Sequence, residues 1–243
     1  MRRVIYVFRY LLILVYTVLW GTLASAAAFF DRGGRFTCWV ARNWIRWVVV
    51  SCGVRIECEG LENFDPGRPF VLMTNHQSVF DIAAIVLTLP TNFHFVSKKE
   101  LAWIPFFGWA LAWSGVGIMV DRSNRSRSVA SLRAAAERIR GGANVIIFPE
   151  GTRSPTGELQ AFKSGGFHLA IQAQVPVVPA TVSGTLAITP RKSLRVESGR
   201  IKIRYGKPIP TEGLVEKDRE ALKVHVREAI QAGFDPELQR AGG

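Results

Sequence analysis

Short β-prone segments alternate with amphipathic helical segments after Gly53, and this alternation constrains the fold more than any other feature of the chain. Helical periodicity is clearest at 126–140, where apolar residues recur at steps of three and four, and at 214–231. The alternation predicts an α/β fold with a central mixed, largely parallel sheet flanked by helices. The predicted strands are residues 54–58, 70–74, 93–97, 116–120, 144–148, 176–182 and 200–205.

The N-terminal region is apolar instead of alternating. From Tyr10 to Phe30 there are 21 residues without a formal charge, and such a helix crosses a bilayer core of about 30 Å at about 1.5 Å per residue. Two other interpretations fit this stretch. One is a cleaved signal peptide, with basic residues at 2–3 and Ala-Ser-Ala at 24–26. The other is a hydrophobic helix that lies in one leaflet.

The next segment, residues 36–53, favours the helix in one leaflet. Arg42 and Arg46 are i,i+4 neighbours on one face of the predicted helix. The residues available to lipid are Trp39, Trp44, Trp47 and Val50. With a turn at Gly33-Gly34, residues 1–53 are therefore predicted to form a membrane-anchoring helical hairpin that precedes a domain of residues 54–243.

The charge distribution supports a membrane partner. The net charge is +12, and residues 1–55 contain eight arginines against Asp31 alone. All seven tryptophans precede residue 114. Arginine and tryptophan on apolar segments are typical of a membrane interface. No zinc-finger, homeodomain or ribonucleoprotein pattern accompanies the charge, so nucleic acid is not expected as a partner.

The three cysteines indicate a reducing compartment. Cys38, Cys52 and Cys58 are odd in number and lack CxxC spacing. They are expected to be reduced thiols, as in a protein that faces the cytoplasm.

The stretch "NHQSVFD" at 75–81 lies where one apolar run ends and the next begins. His76 and Asp81 would not share a face inside one regular helix, but they can meet if His76 lies in a strand-to-helix turn. A carboxylate bonded to one imidazole nitrogen supports a proton taken by the other, which makes the pair a candidate general base. A purely structural hydrogen bond is the alternative for this pair taken alone.

The nucleophile is predicted to come from the substrate. The sequence has no GxSxG elbow, and the cysteines cluster in or beside the N-terminal hairpin. The other histidines have no metal-ligand spacing relative to His76, so no metal is expected. A substrate hydroxyl, which needs a base to react, fits the His-Asp pair.

Three predicted strands end in cations, which indicates an anion pocket at the carboxyl edge of the sheet. "NVIIFPEGTRS" (144–154) presents Glu150, Gly151, Thr152 and Arg153 in a loop. Gly151 permits close backbone approach, Thr152 offers a hydroxyl, and Arg153 has the planar fork that binds phosphate. The other two strands end in Lys98 and Lys99 and in Asp121 and Arg122.

These motifs together resemble the bacterial 1-acyl-sn-glycerol-3-phosphate acyltransferases, members of the glycerolipid acyltransferase family with an NHx4D block. "NHQSVFD", "GIMVDR" (117–122), "FPEGTRS" and "VPVVPATVSGT" (175–185) follow the order of the family's four blocks. "KKELAWIPFFGWAL" (98–111) and "FKSGGFHLA" (162–170) also look like family segments. The resemblance covers roughly residues 55–210, and the hairpin has a counterpart in some members.

The resemblance implies acyl transfer to the sn-2 hydroxyl of lysophosphatidate. His76, held by Asp81, would deprotonate that hydroxyl, and the oxygen would attack the thioester of acyl-CoA or acyl carrier protein without an acyl-enzyme. The acceptor phosphate would be held by Arg153, Lys98 and Arg122, with Glu150 and Gly151 shaping the pocket. Residues 175–185 would line that pocket or an acyl channel. No cofactor is implied.

The expected location is the cytoplasmic face of the inner membrane, where lipid substrate and product reside.

Three alternative functions stay open. One is an acyltransferase for another acceptor, such as glycerol 3-phosphate, a lyso-ornithine lipid or another lysophospholipid. The second is a non-catalytic lipid-binding protein, and the third is a thioester hydrolase, which the missing serine elbow disfavours.

Overall fold

The computed structural model describes residues 2–28, 30–31, 34–120, 125–190, 193 and 195–240. The helices are α1 (Arg2–Ala27), α2 (Arg35–Ser51), α3 (Phe80–Thr88), α4 (Phe107–Trp113), α5 (Arg125–Arg140), α6 (Gly165–Ala173), α7 (Thr185–Ile188), α8 (Arg219–Ala232) and α9 (Pro236–Arg240). The strands are β1 (Val54–Glu59), β2 (Val71–Thr74), β3 (His94–Lys98), β4 (Gly117–Val120), β5 (Val145–Ile147), β6 (Val177–Ser183) and β7 (Gly199–Tyr205). Short 3₁₀ turns occupy Leu61–Asn63, Lys99–Trp103 and Glu216–Asp218.

The strands form one sheet in the order β1-β7-β6-β2-β5-β3-β4. Neighbouring strands are parallel except for β6 and β7, which are antiparallel. The predicted mixed, largely parallel sheet is thus confirmed, and each predicted strand overlaps an observed one. The carboxyl ends of the parallel strands β2, β5, β3 and β6 lie at the same edge, so the loops that follow them are brought together.

Helices cover both faces of the sheet, and each face has its own apolar core. Strand β2 shows how the sequence divides between them, because Leu72 belongs to one core while Val71 and Met73 belong to the other. Side chains of a strand alternate between faces, and a central parallel strand buries both. The first core is completed by α2 and α3, and the second by α5, α6 and α8.

The N-terminal helices α1 and α2 pack against each other as a hairpin. The Tyr16 ring meets the Trp47 ring edge-on at 5.3 Å, and the Trp20 ring meets Trp47 at 5.2 Å. Helix α2 also contributes buried residues, such as Val48 and Val49, to the first core. The division into an anchor of residues 1–53 and a domain of residues 54–243 stays a prediction.

The outer surface of the hairpin is apolar. Among the described residues, one helix, Arg3–Ala27, is long and apolar enough by length and composition to cross a membrane, and its exposed apolar side chains indicate membrane association. Arg42 and Arg46 both lie in α2, four positions apart as predicted. Arg46 is exposed, whereas Arg42 donates hydrogen bonds to the carbonyls of Leu89 and Thr91 beyond α3.

Candidate active site

The sequence block 75–81 forms the turn between β2 and α3, as predicted. His76 lies in the turn, and Asp81 lies in the first turn of α3. Asn75 fixes the turn to the neighbouring strand β6: its Nδ2 donates to the carbonyl of Val182, and its Oδ1 accepts from the N–H of Val182, both at 2.8 Å. The end of β2 is therefore held rigidly against the sheet.

Asp81 is the centre of a buried hydrogen-bond network. Its Oδ2 lies 2.8 Å from Nδ1 of His76 and accepts the backbone N–H groups of Gln77 at 2.7 Å and Ser78 at 2.8 Å. Its Oδ1 accepts the hydroxyl of Thr185. The Asp81 side chain is 0% exposed. The predicted contact between His76 and Asp81 therefore forms, and both carboxylate oxygens have donors.

The ring of His76 is held on two sides. Nδ1 faces the carboxylate of Asp81, which only accepts hydrogen bonds, so the ring proton of neutral His76 is assigned to Nδ1. Nε2 is then the nitrogen available to take a proton from a substrate. The ring also stacks on Phe148, with 4.0 Å between ring centroids and 23° between planes. The His76 side chain is 16% exposed, so one part of the ring still reaches the surface of the site.

Glu150 connects the loop after β5 to this turn. Its Oε1 accepts the backbone N–H of His76 at 2.7 Å, and its Oε2 accepts the N–H of Gln160 at 3.1 Å. Glu150 is buried, and burial raises the pKa of its carboxyl even though these N–H donors act in the opposite direction. A second connection runs from the N–H of Ser154 to the carbonyl of His76, at 2.7 Å. Glu150 therefore helps to position the backbone of the turn that carries His76.

Gly151 occupies a place that requires glycine. Its φ is 71°, in the left-handed region, and a Cβ there would lie 3.0–3.1 Å from the side chain of Lys163. Thr152 and Arg153 follow on the same loop; Thr152 is exposed and Arg153 is half-buried. Lysine 163 was not among the predicted site residues, although its close approach to Gly151 places a further cation beside the loop.

For the two remaining predicted cations, Lys98 and Arg122, the structure describes only the backbone of Lys98. Lys98 is the last residue of β3, the strand next to β5, so its backbone reaches the same edge of the sheet. Arg122 lies outside the described residues. The grouping of Lys98, Arg122, Thr152 and Arg153 around one phosphate therefore stays a prediction.

An apolar cavity of about 310 Å³ adjoins the His-Asp pair. His76, Phe148 and Gly151 line one part of it. The remaining lining is almost wholly apolar and comes from four places: the α1–α2 hairpin, α3, the region from Phe93 to β4, and Ile147 of β5. A long apolar chain bound there would therefore bring its polar end to the imidazole.

Sequence reasoning missed three features of the site. Residues 175–185 were expected to line the phosphate pocket or an acyl channel, and the bond from the Thr185 hydroxyl to Asp81 was not predicted. No residue of that stretch is among those lining the apolar cavity. The stacking of Phe148 on His76 and the cavity wall from α1 and α2 were also missed. A polar residue just beyond the carboxyl end of a strand, as at Thr185 two positions after β6, is the signal that could have identified the first.

The comparisons with known proteins agree with this geometry. A family model described as Acyltransferase matches residues 55–183. The 1-acyl-sn-glycerol-3-phosphate acyltransferase alpha of Homo sapiens is 37% identical over 183 residues, which are 75% of this chain and 64% of that protein. The 1-acyl-sn-glycerol-3-phosphate acyltransferase of Saccharomyces cerevisiae is 31% identical over 228 residues, which are 90% of this chain and 75% of that protein.

A solved structure extends the similarity to nearly the whole chain. The crystal structure of the 1-acyl-sn-glycerophosphate (LPA) acyltransferase PlsC from Thermotoga maritima matches with a TM-score of 0.79 and 27% identity, covering 96% of both chains. The chain spans only 63–64% of the length of the mammalian alpha-type relatives. Since the family model covers more than half of the chain, and the yeast relative is matched over three quarters of its length, the chain belongs to the Acyltransferase family.

Proposed function

We propose that the protein transfers a fatty acyl group from acyl-CoA or acyl carrier protein to the sn-2 hydroxyl of lysophosphatidate, which gives phosphatidate. The observation that carries the proposal is the 2.8 Å contact between His76 and the buried Asp81, with the imidazole at the wall of an apolar cavity. The names of the relatives support lysophosphatidate as the acceptor.

The proposed reaction is a direct transfer. Nε2 of His76 takes the proton of the acceptor hydroxyl, and the oxygen attacks the carbonyl carbon of the thioester. The resulting imidazolium keeps its Nδ1 proton and donates a hydrogen bond from it to the carboxylate of Asp81, whose negative charge stabilises the imidazolium. The carbon–sulfur bond then breaks, and the leaving thiolate takes the proton from His76. An acyl-enzyme and a metal are unnecessary in this scheme, because the thioester is already activated.

The substrates fit different parts of the site. We place an acyl chain in the apolar cavity, since its lining is almost wholly apolar and its volume of about 310 Å³ lies within the usual range for small-molecule pockets. We place the acceptor phosphate at the loop after β5, with Arg153, Lys98 and Arg122 as its partners. Arginine and lysine at the carboxyl edge of an α/β sheet are suited to bind this group.

The cellular location follows from the same proposal. The apolar helix indicates membrane association, and we propose the inner membrane with the site on its cytoplasmic side, where soluble acyl donors are present. Lipid acceptor and product would then enter and leave through the membrane.

The test is acyl transfer from palmitoyl-CoA, and in parallel from acyl carrier protein, to lysophosphatidate, glycerol 3-phosphate and lyso-ornithine lipid. The wild-type protein is compared with His76→Ala and with the matched control His225→Ala, which replaces an exposed histidine on α8. We expect phosphatidate from lysophosphatidate with the wild type and the control, and none with His76→Ala.

The other results would change the proposal in specific ways. If another acceptor is acylated and the transfer still requires His76, the proposed mechanism is retained and that acceptor replaces lysophosphatidate as the substrate. Free fatty acid without acceptor would indicate a thioester hydrolase. No transfer that depends on His76, with either donor, would refute the proposal and leave a lipid-binding protein.

A further inference from the structure

We propose that residues 99–113, which lie outside the N-terminal hairpin, form a second membrane contact beside α1. This segment comprises the 3₁₀ turn Lys99–Trp103 and helix α4, and it connects β3 to β4. The proposed partner is the headgroup and upper acyl region of one lipid leaflet. The membrane anchor predicted from the sequence comprised only residues 1–53.

The segment presents large apolar side chains to solvent. Trp103 is 84% exposed, and its neighbour Ile104 is also exposed. Trp109 and Trp113, one turn apart on α4, are exposed as well and stack on each other, with 7° between their ring planes. Exposed apolar side chains that lie together mark an interaction surface, unlike single exposed ones.

Tryptophan specifies which partner fits this surface. Its ring combines a large apolar face with one N–H donor, and proteins concentrate it where the acyl region of a bilayer meets the headgroups. Three of the seven tryptophans of the chain lie in these fifteen residues, at positions 103, 109 and 113. A leaflet interface satisfies both the apolar face and the donor of each ring.

The surface is continuous with the apolar face of α1. Helix α1 packs directly on the segment: a Cβ added at Gly21 would lie 2.8 Å from Cβ of Phe106. One helical turn further on, the hydroxyl of Ser25 donates to the carbonyl of Phe106 at 3.5 Å. A bilayer that contacts the exposed side chains of α1, such as Leu19 and Leu23, would meet residues 99–113 at the side of the helix.

The opposite side of the segment lines the apolar cavity. Leu101, Ala110 and Leu111 line it from this segment, and Gly21 and Ala24 line it from α1. Both elements thus separate the cavity from the surface that we assign to lipid. An apolar chain moving between leaflet and cavity would pass along walls that are already immersed in the membrane.

The experiment places an environment-sensitive fluorophore at single positions and asks whether lipid quenches it. In a Cys58→Ser background, Trp103→Cys carries the test probe, Leu14→Cys on α1 the positive control, and Val224→Cys on α8 the water-exposed control; all three positions are exposed. Cys38 and Cys52 remain in this background and are buried. Cys58→Ser protein without an added cysteine is treated with the fluorophore in parallel, so that any labelling of these two thiols is measured. Full-length protein is reconstituted into vesicles of phosphatidylethanolamine and phosphatidylglycerol with nitroxide-labelled lipid.

We expect the nitroxide lipid to reduce the emission at 103 and at 14 by roughly twofold or more, as for side chains about 5–10 Å deep in the interface, and to leave 224 unchanged. Emission at 103 that behaves like 224 would overturn the proposal. A blue-shifted but unquenched probe at 103 would also overturn it, because the surface would then bind protein, such as a second copy of the chain. The readout does not require acyl transfer, so it stands or fails separately from the proposed function.

Discussion

The turn 75–81 and helix α1 differ in what they expose to water: the turn buries a charged group, whereas the helix exposes apolar side chains. The turn buries the carboxylate of Asp81, which has a donor for each oxygen. Helix α1 instead leaves apolar side chains exposed along most of its length. Burying a charge without partners costs several kcal/mol, and so does exposing a large apolar surface to water, so each region needs a compensating environment.

The difference lies in where that environment comes from. The turn obtains its partners from within the protein, from α7 and from the backbone of the turn itself. Helix α1 obtains only part of its partners from the protein, and we propose that lipid supplies the rest. Substitutions in the turn should therefore affect chemistry and folding, whereas those on the outer face of α1 should leave both nearly unchanged.

The largest expected effect is on catalysis in Asp81→Asn. The amide keeps the size of the side chain but cannot stabilise the imidazolium that forms when His76 takes a proton, so we expect kcat to fall by about 10³-fold. Acyl transfer to lysophosphatidate and vesicle binding are measured together. Asp65→Asn, in an exposed turn, is the matched control. Reduced vesicle binding by Asp81→Asn would show that the two regions are not separable.

The next effect is on stability and concerns the hydroxyl that supports Asp81. Thr185→Val removes the donor to Oδ1 and leaves a buried carboxylate oxygen without it, which should cost about 1.5–3 kcal/mol of unfolding free energy. Thr189→Val is the control, because the buried Thr189 hydroxyl has no hydrogen-bond partner among the described residues. Denaturant unfolding in detergent measures both. Equal losses would mean that the hydroxyl of Thr185 contributes no more than side-chain shape.

A smaller effect separates the two faces of α1. Ile13 packs against the first core, while its neighbour Leu14 is exposed. We expect Ile13→Ser to cost about 1–2 kcal/mol, since apolar burial is lost. Leu14→Ser should change the unfolding free energy by less than about 0.5 kcal/mol. The same unfolding assay in detergent compares them, and a large loss in Leu14→Ser would mean that its face is packed within the protein.

How far the sequence predicts this molecule depends on how local each interaction is. The strands follow from short apolar runs, and the contact between His76 and Asp81 follows from a five-residue spacing and one turn. Both depend on residues that are near in sequence. The observed α5 and α8 likewise follow from helical periodicity within their own segments.

The missed features depend on residues that are far apart in the chain. Thr185 lies 104 positions from Asp81, and only the pairing of β6 with β2 brings it there. The cavity wall from α1 similarly requires the packing of α1 against residues 99–113. Periodicity could assign α1 an apolar face, but it could not divide that face between core, cavity and lipid.

The smallest effect is a pH dependence that arises from Glu150. Burial raises the pKa of this carboxyl in the folded protein, so the folded state holds the proton more tightly than the unfolded state does. The contribution of Glu150 to the unfolding free energy is therefore fully present at a pH below the ordinary glutamate pKa of about 4.3. It is lost as the pH rises through the raised pKa of the folded state. Glu150→Gln has no such titration.

The unfolding free energy of the wild type, minus that of Glu150→Gln, should therefore fall as the pH is raised from below this range and then level off. The exposed Glu158→Gln, in the same loop, gives the reference series. A difference that rises with pH would mean that the N–H donors of His76 and Gln160 outweigh burial. Glu150 would then act as a buried anion that holds the catalytic turn, and the polar region would depend on two internal carboxylates instead of one.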